Sequence, residues 1–180
     1  MDPIEMYRTA TTNALAIARR IRSDQLGDAT PCAEWTVQDL LDHLVGGTSY
    51  LASALGAGSP NPGPGATAED FAAGVATCLE RLSEPASLEH RSPSPLGFEW
   101  SGLQATAGTS MDVLVHTWDL ATATGQDASL DGGVVDAVAA MFLPEMPEGG
   151  RAAGIIGPAV EVPADAPAQD KLLGALGRRP

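Results

Sequence analysis

The chain has 180 residues, of which 44% are hydrophobic and 18% charged, so it can bury a genuine core and is too apolar for disorder. Acidic residues outnumber basic ones 23 to 10, a formal net charge of −13. Phosphate backbones and anionic lipid surfaces would repel such a chain, which all but excludes nucleic-acid and membrane-surface binding. Cys32 and Cys78 are its two cysteines and form no CxxC pair, which argues against a disulfide-stapled scaffold or a Cys-based zinc knuckle.

Helical periodicity dominates. From Ile4 to Ile21 the apolar positions Ile4, Tyr7, Ala14, Leu15, Ala18 and Ile21 recur at spacings of three and four, as on one face of a helix. Pro31 then breaks the pattern. Thr36 has the character of an N-cap, with Asp39 at the capping-box position, for a second helix carrying Val37, Leu40, Leu41, Leu44, Val45, Leu51 and Leu55. Gly56 to Ala66 holds three Pro and four Gly and is expected to be a mobile loop. Thr67 caps a third helix through Leu82. Ser83 to Gly102 is a long connection, with an extended piece expected at Leu96 to Trp100. A fourth helix should run from about Leu103 to Ala123 and end at Gly125. A fifth covers Asp131 to Phe142, stopped by Pro144. The tail has an extended piece at Val160–Val162 and a last helix over Ala168 to Leu176. These elements predict an all-α fold, a helical bundle with one long crossover, an extra C-terminal helix and minor extended segments. One domain spanning residues 1–180 is expected. With no basic n-region followed by an apolar stretch, and no run of ~18 apolar residues, the expected location is cytoplasmic.

The fourth helix carries the chemistry. It is apolar nearly all round, as buried helices are. Yet Asp112, His116 and Asp119 stand within it at i, i+4 and i+7, stacked on one face. A buried carboxylate needs a partner or a metal. His43, at the edge of the second helix's apolar stripe, is the natural partner, and Gly47 one turn later would allow close approach. His43, Asp112 and His116 could then converge on one cation. Two imidazoles and a carboxylate suit Zn, Ni, Co or Fe(II) and leave coordination positions open. The plainer alternatives are a solvated Asp112–His116 ion pair and a hydrogen-bonded His43 at the core edge. Asp119 is a carboxylate orienting an imidazole or a surface acid. His90 is expected to be exposed, Trp35 and Trp118 to be core aromatics, and Cys32 to have no nucleophilic role.

At these residues the chain resembles a known family. Thr30-Pro31-Cys32-Ala33-Glu34-Trp35-Thr36-Val37, continuing through Leu40-Leu41-Asp42-His43-Leu44-Val45-Gly46-Gly47, is similar to the first signature of the mycothiol-dependent maleylpyruvate isomerase metal-binding domain. Asp112-Val113-Leu114-Val115-His116-Thr117-Trp118-Asp119-Leu120-Ala121 is similar to the second. The tail, from Gly157-Pro158-Ala159-Val160 to Gly177-Arg178-Arg179-Pro180, resembles a compact, single-domain actinobacterial branch. The resemblance implies a DinB-like four-helix bundle holding a divalent metal, zinc first and nickel second, on His43, Asp112 and His116. It further implies a low-molecular-weight thiol such as mycothiol as cosubstrate. The function expected is then a metal- and thiol-dependent transferase or isomerase acting on a small electrophile. A non-catalytic metal- or ligand-binding bundle is the alternative, and a homodimer through the first or fifth helix is compatible with either. Trp118 or Tyr50 would wall the pocket. Two departures point away from maleylpyruvate itself. Asp112 replaces the isomerase's Glu, shortening the side chain by ~1.5 Å, and the isomerase's second, C-terminal domain is not expected here.

Overall fold

The computed structural model describes residues 1–58, 63–144 and 146–180. The first helix, α1 (Pro3–Ala18), starts where it does because Asp2 accepts the Ile4 and Glu5 amides at 3.0 Å and Pro3 needs no amide partner. It ends three residues earlier than the apolar pattern extends, in a tightened turn where Arg20 and Ile21 donate to Ile17 and Ala18. Helix α2 (Val37–Ala54) and helix α3 (Ala68–Leu82) begin at the expected caps. Each has a reciprocal capping box, Thr36 with Asp39 and Thr67 with Asp70. Residues 59–62 of the Gly- and Pro-rich loop between them lie outside the described residues, and the mobility expected there falls on them.

The long crossover is more ordered than expected. It contains a short helix α4 (Pro85–Glu89) and a hairpin of β1 (Arg91–Pro93) and β2 (Glu99–Ser101), antiparallel with Ser92 opposite Trp100. Three-residue strands, one of them ending in proline, carry no readable alternation, so the sequence marked only the second half of this hairpin. Next comes α5 (Gly102–Thr124), 23 residues long and capped by Ser101 at one end and by Gly125, in the left-handed region at φ 66°, at the other. Helix α6 (Gly132–Phe142) is capped by Asp131. An unanticipated helix α7 (Met146–Ala152) follows, and α8 (Ala168–Ala175) closes the chain. The segment expected to be extended at Val160–Val162 forms no strand; Val160 donates one hydrogen bond, to the Gly174 carbonyl.

The bundle consists of α1, α2, α3 and α5. Helix α5 packs between α1 and α2, and α3 bridges those two on the other side. Its core is built from Met6, Tyr7, Leu40, Leu44, Leu51, Leu55, Phe71, Leu114 and Leu120, all essentially without solvent contact. Helices α6 and α8 pack on one another outside α5, and Leu172 and Leu173 pin α8 down. Among the described residues no helix is long and apolar enough to cross a membrane.

Gly102 sets how closely α4 and α5 meet. Its amide donates to the His90 carbonyl at 2.9 Å, and a Cβ there would overlap the Ser87 carbonyl oxygen and come within 2.9 Å of Leu55. Backbone cannot swing aside as a side chain can. Gly102→Ala should therefore destabilise the protein by about 1–3 kcal/mol through overpacking, although Gly→Ala in a helix ordinarily stabilises. The shift of the urea midpoint, with unchanged m-value, checks the sign.

Candidate metal centre

Three segments deliver the site. The Thr36 capping box fixes the start of α2, which places His43 on the second turn, facing α5. Helix α5 supplies Asp112, His116 and Asp119 at the spacings that stack side chains along one face. The turn before α2 supplies Trp35. There Thr30 Oγ1 accepts the Cys32 amide and donates to the Trp35 carbonyl, and the Trp35 amide donates to the Cys32 carbonyl. Glu34 takes a left-handed φ of 69° to complete the turn, a conformation that costs a non-glycine residue ~1 kcal/mol or more.

The three residues singled out as ligands do meet. One donor atom from each of His43, Asp112 and His116 lies within 4.8 Å of the others. His43 Nε2 stands 3.0 Å from Asp112 Oδ2, and His116 Nε2 3.4 Å from Asp112 Oδ1. The imidazole rings are 4.7 Å apart, edge to face. The site has a wet side and a dry side: the His43 and Asp112 side chains are each 34% exposed, His116 only 9%. Gly47 lies where expected, with the Asp112 carboxylate 3.9 Å from the position its Cβ would take.

Behind the donors lies a second row. The His116 ring donates from Nδ1 to Asp119 Oδ2 at 2.9 Å, so Asp119 orients the imidazole and is no surface acid. That carboxylate is fully buried, and Arg178 from the tail grips both its oxygens, Nη2 to the same Oδ2 at 2.7 Å and Nε to Oδ1 at 3.3 Å. With Nδ1 engaged, His116 Nε2 is the nitrogen left to face the cluster.

Trp35 is the aromatic wall. Its ring stacks on His116 at 5.7 Å and tilts over His43 at 4.9 Å, so it belongs to the site as well as to the edge of the core. Trp118 is buried in the core, and Tyr50 donates to the Pro93 carbonyl beside Trp100, so the ring on the histidines is neither of those expected. His90 is exposed, its ring held by the Ala54 carbonyl. Burial pushes the Cys32 thiol up, against a smaller opposing pull from Arg178, which leaves it unsuited to act as a thiolate. Arg178 had only appeared in the tail motif. Two adjacent arginines after a glycine do not say which one turns inward.

The electrostatics follow from crowding charges in a half-dry place. Burial pushes Asp112 up, but His116 and His43 more than reverse this and hold its carboxyl well below the usual range. Burial lowers His116, yet Asp112 and then Asp119 outweigh it and raise the imidazole to about 9. Asp119, which burial would raise, is held down by His116 and Arg178. In metal-free protein the raised His116 contributes stability that is complete below its unfolded value of ~6.5 and lost as pH rises through about 9. The depressed Asp112 and Asp119 contribute stability that is lost as pH falls below ~4. Urea titrations of metal-free protein should show stability falling by on the order of 2 kcal/mol between pH 6 and pH 9.5. His116→Gln should flatten that decline. A cation needs the neutral imidazole, so its affinity should rise over the same interval with release of a proton.

The family profile described as "Mycothiol maleylpyruvate isomerase N-terminal domain" matches residues 7–121, which carry His43, Asp112, His116 and Asp119. Two proteins of Mycobacterium tuberculosis, named "Uncharacterized protein MT0763" (strain CDC 1551 / Oshkosh) and "Uncharacterized protein Rv0738" (strain H37Rv), are each 36% identical over 132 residues. The alignment covers 73% of this chain and 72% of each relative. No solved structure matches significantly. With its all-α, DinB-like bundle and the profile match over most of its length, the chain belongs to the mycothiol maleylpyruvate isomerase N-terminal domain family.

Proposed function

We propose that the chain is a cytoplasmic, single-domain protein that binds one divalent cation, zinc foremost, through His43, Asp112 and His116. There it joins a mycothiol-type thiol to a small electrophile, or isomerises the electrophile where the thiol leaves again. The observation that carries this reading is the convergence of two imidazole nitrogens and one carboxylate within 4.8 Å at a half-open site, in a chain of this family.

The donor set fits the group. Two nitrogens and one oxygen match the preferences of Zn and Ni, and three protein ligands leave a position free for a small molecule. A divalent cation held by His43, Asp112 and His116 would supply Lewis acidity, which would lower the pKa of a thiol and make thiolate available near neutral pH.

The protein's part is to hold and shield. Asp119 fixes the His116 ring and keeps the Nδ1 proton away from the site, leaving Nε2 free. Asp112 contributes the one negative charge among the three donors, and its depressed pKa keeps it ionised throughout the working pH range. Trp35 excludes water from the flank of both imidazoles. The exposed edges of His43 and Asp112 mark the side from which thiol and electrophile approach.

Elemental analysis of protein expressed without a histidine tag, beside His116→Ala, tests the reading directly. About one divalent metal per chain, lost in the variant, is expected. The loaded protein should then consume electrophile only when thiol is present, whereas ligand retention without turnover would mark a binding protein. Absence of metal in both proteins after incubation with zinc and nickel would overturn the proposal.

A further inference from the structure

The C-terminal tail ends on the site. Helix α8 stops in a Schellman turn: the Arg178 amide donates to the Leu173 carbonyl at 2.8 Å and the Gly177 amide to the Gly174 carbonyl at 3.1 Å. This turn needs a left-handed residue between them, and Gly177 supplies it at φ 87°. A Cβ on Gly177 would also press within 3.2 Å of the Pro158 carbonyl, so the position is closed twice over to larger residues. Leu172, Leu173 and Leu176 anchor the turn from below, all nearly without solvent contact. The turn thus points Arg178 inward along a fixed line. Its guanidinium is braced by a 3.0 Å bond from Nη1 to the Leu176 carbonyl and grips Asp119 with Nη2 and Nε.

Asp119 Oδ2 is shared between Arg178 Nη2 at 2.7 Å and His116 Nδ1 at 2.9 Å. A carboxylate rotates in a broad torsional well, so a single hydrogen bond does not fix its plane. The two-pronged grip of a guanidinium does. We infer that Arg178 is a positioning residue of the metal centre, acting through Asp119 to hold the His116 ring at the angle its Nε2 needs. The inference rests on the proposed metal site. It adds to that site a residue 57 positions beyond the end of the family match, residue 121 to residue 178.

A cation near a metal ion repels it, so removing Arg178 would by charge alone favour metal binding. Asp119 stands between the two, however, and its charge cancels that of the guanidinium. The geometric loss therefore dominates, and partners behind a ligating histidine typically account for ~10–100-fold in metal affinity.

The test compares wild type, Arg178→Ala, Arg178→Lys and His116→Ala. Zinc affinity is read by chelator competition, cobalt geometry by the d–d absorption band, and the His116 Nδ1 proton by ring NMR of the metal-free proteins. The Gly177 turn uses only the Arg178 backbone, so Arg178→Ala should keep its helical circular dichroism. Zinc affinity should fall at least tenfold, the cobalt band should move, and the protected Nδ1 proton should be lost. Arg178→Lys keeps the charge on a single donor point and should fall between the two. Wild-type affinity, cobalt spectrum and ring proton in Arg178→Ala, with binding abolished in His116→Ala, would overturn the inference and leave the metal site standing. If no protein binds metal, the proposed function fails. A ring proton unchanged by Arg178→Ala would then overturn the inference in its own right. Should Arg178→Ala not fold, the same three readings on Arg178→Lys decide, wild-type values there counting against it.

Discussion

A carboxylate with no solvent contact, Asp119, sits in the C-terminal third of the most extensively buried helix of this bundle, and its neighbours are arranged to make that tolerable. An ion so placed costs several kcal/mol unless its oxygens are occupied. His116 and Arg178 share one of its oxygens and Arg178 also holds the other, which ties α5 to the C-terminal tail. His116 then needs a partner for its second nitrogen, Asp112 answers, and His43 reaches across from α2 to Asp112. The result is a chain of polar contacts, Arg178–Asp119–His116–Asp112–His43, running from the dry interior to a half-open edge. Polarity that would be a defect in a pure packing core becomes a gradient along which a ligand site can form.

The helices of the bundle were legible through their long apolar patterns, helped in α2 and α3 by a chemical start signal and in α5 by the closing Gly125. Thr36 and Thr67 mark α2 and α3 in the sequence, and both cap them in the structure. The elements that escaped, α4, α7 and the β1–β2 hairpin, have seven residues or fewer per segment. Segments so short have no periodicity to read, and tertiary neighbours decide their form.

Within the site, His43, Asp112, His116 and Asp119 were legible because a histidine or aspartate on an apolar helix face has to be explained. Trp35 and Arg178 were not, for opposite reasons. A tryptophan ahead of an apolar helix is well explained as core, so nothing in the sequence asks for more. Arg178 is placed by a backbone turn, and which of two neighbouring arginines turns inward depends on Gly177 adopting a left-handed φ of 87°. Side chains aimed by turns are invisible to periodicity.

His43 and Asp112 are 69 residues apart in the chain, and Asp119 and Arg178 a further 59. Contacts that close such long loops cost chain entropy that must be paid before the contact rewards it. A nascent chain with α2 already formed presents His43 as a lone imidazole, with too few donors to capture a cation. The donor set comes into being only once α5 has met α2, so loading with metal would double as a check that these two helices have docked.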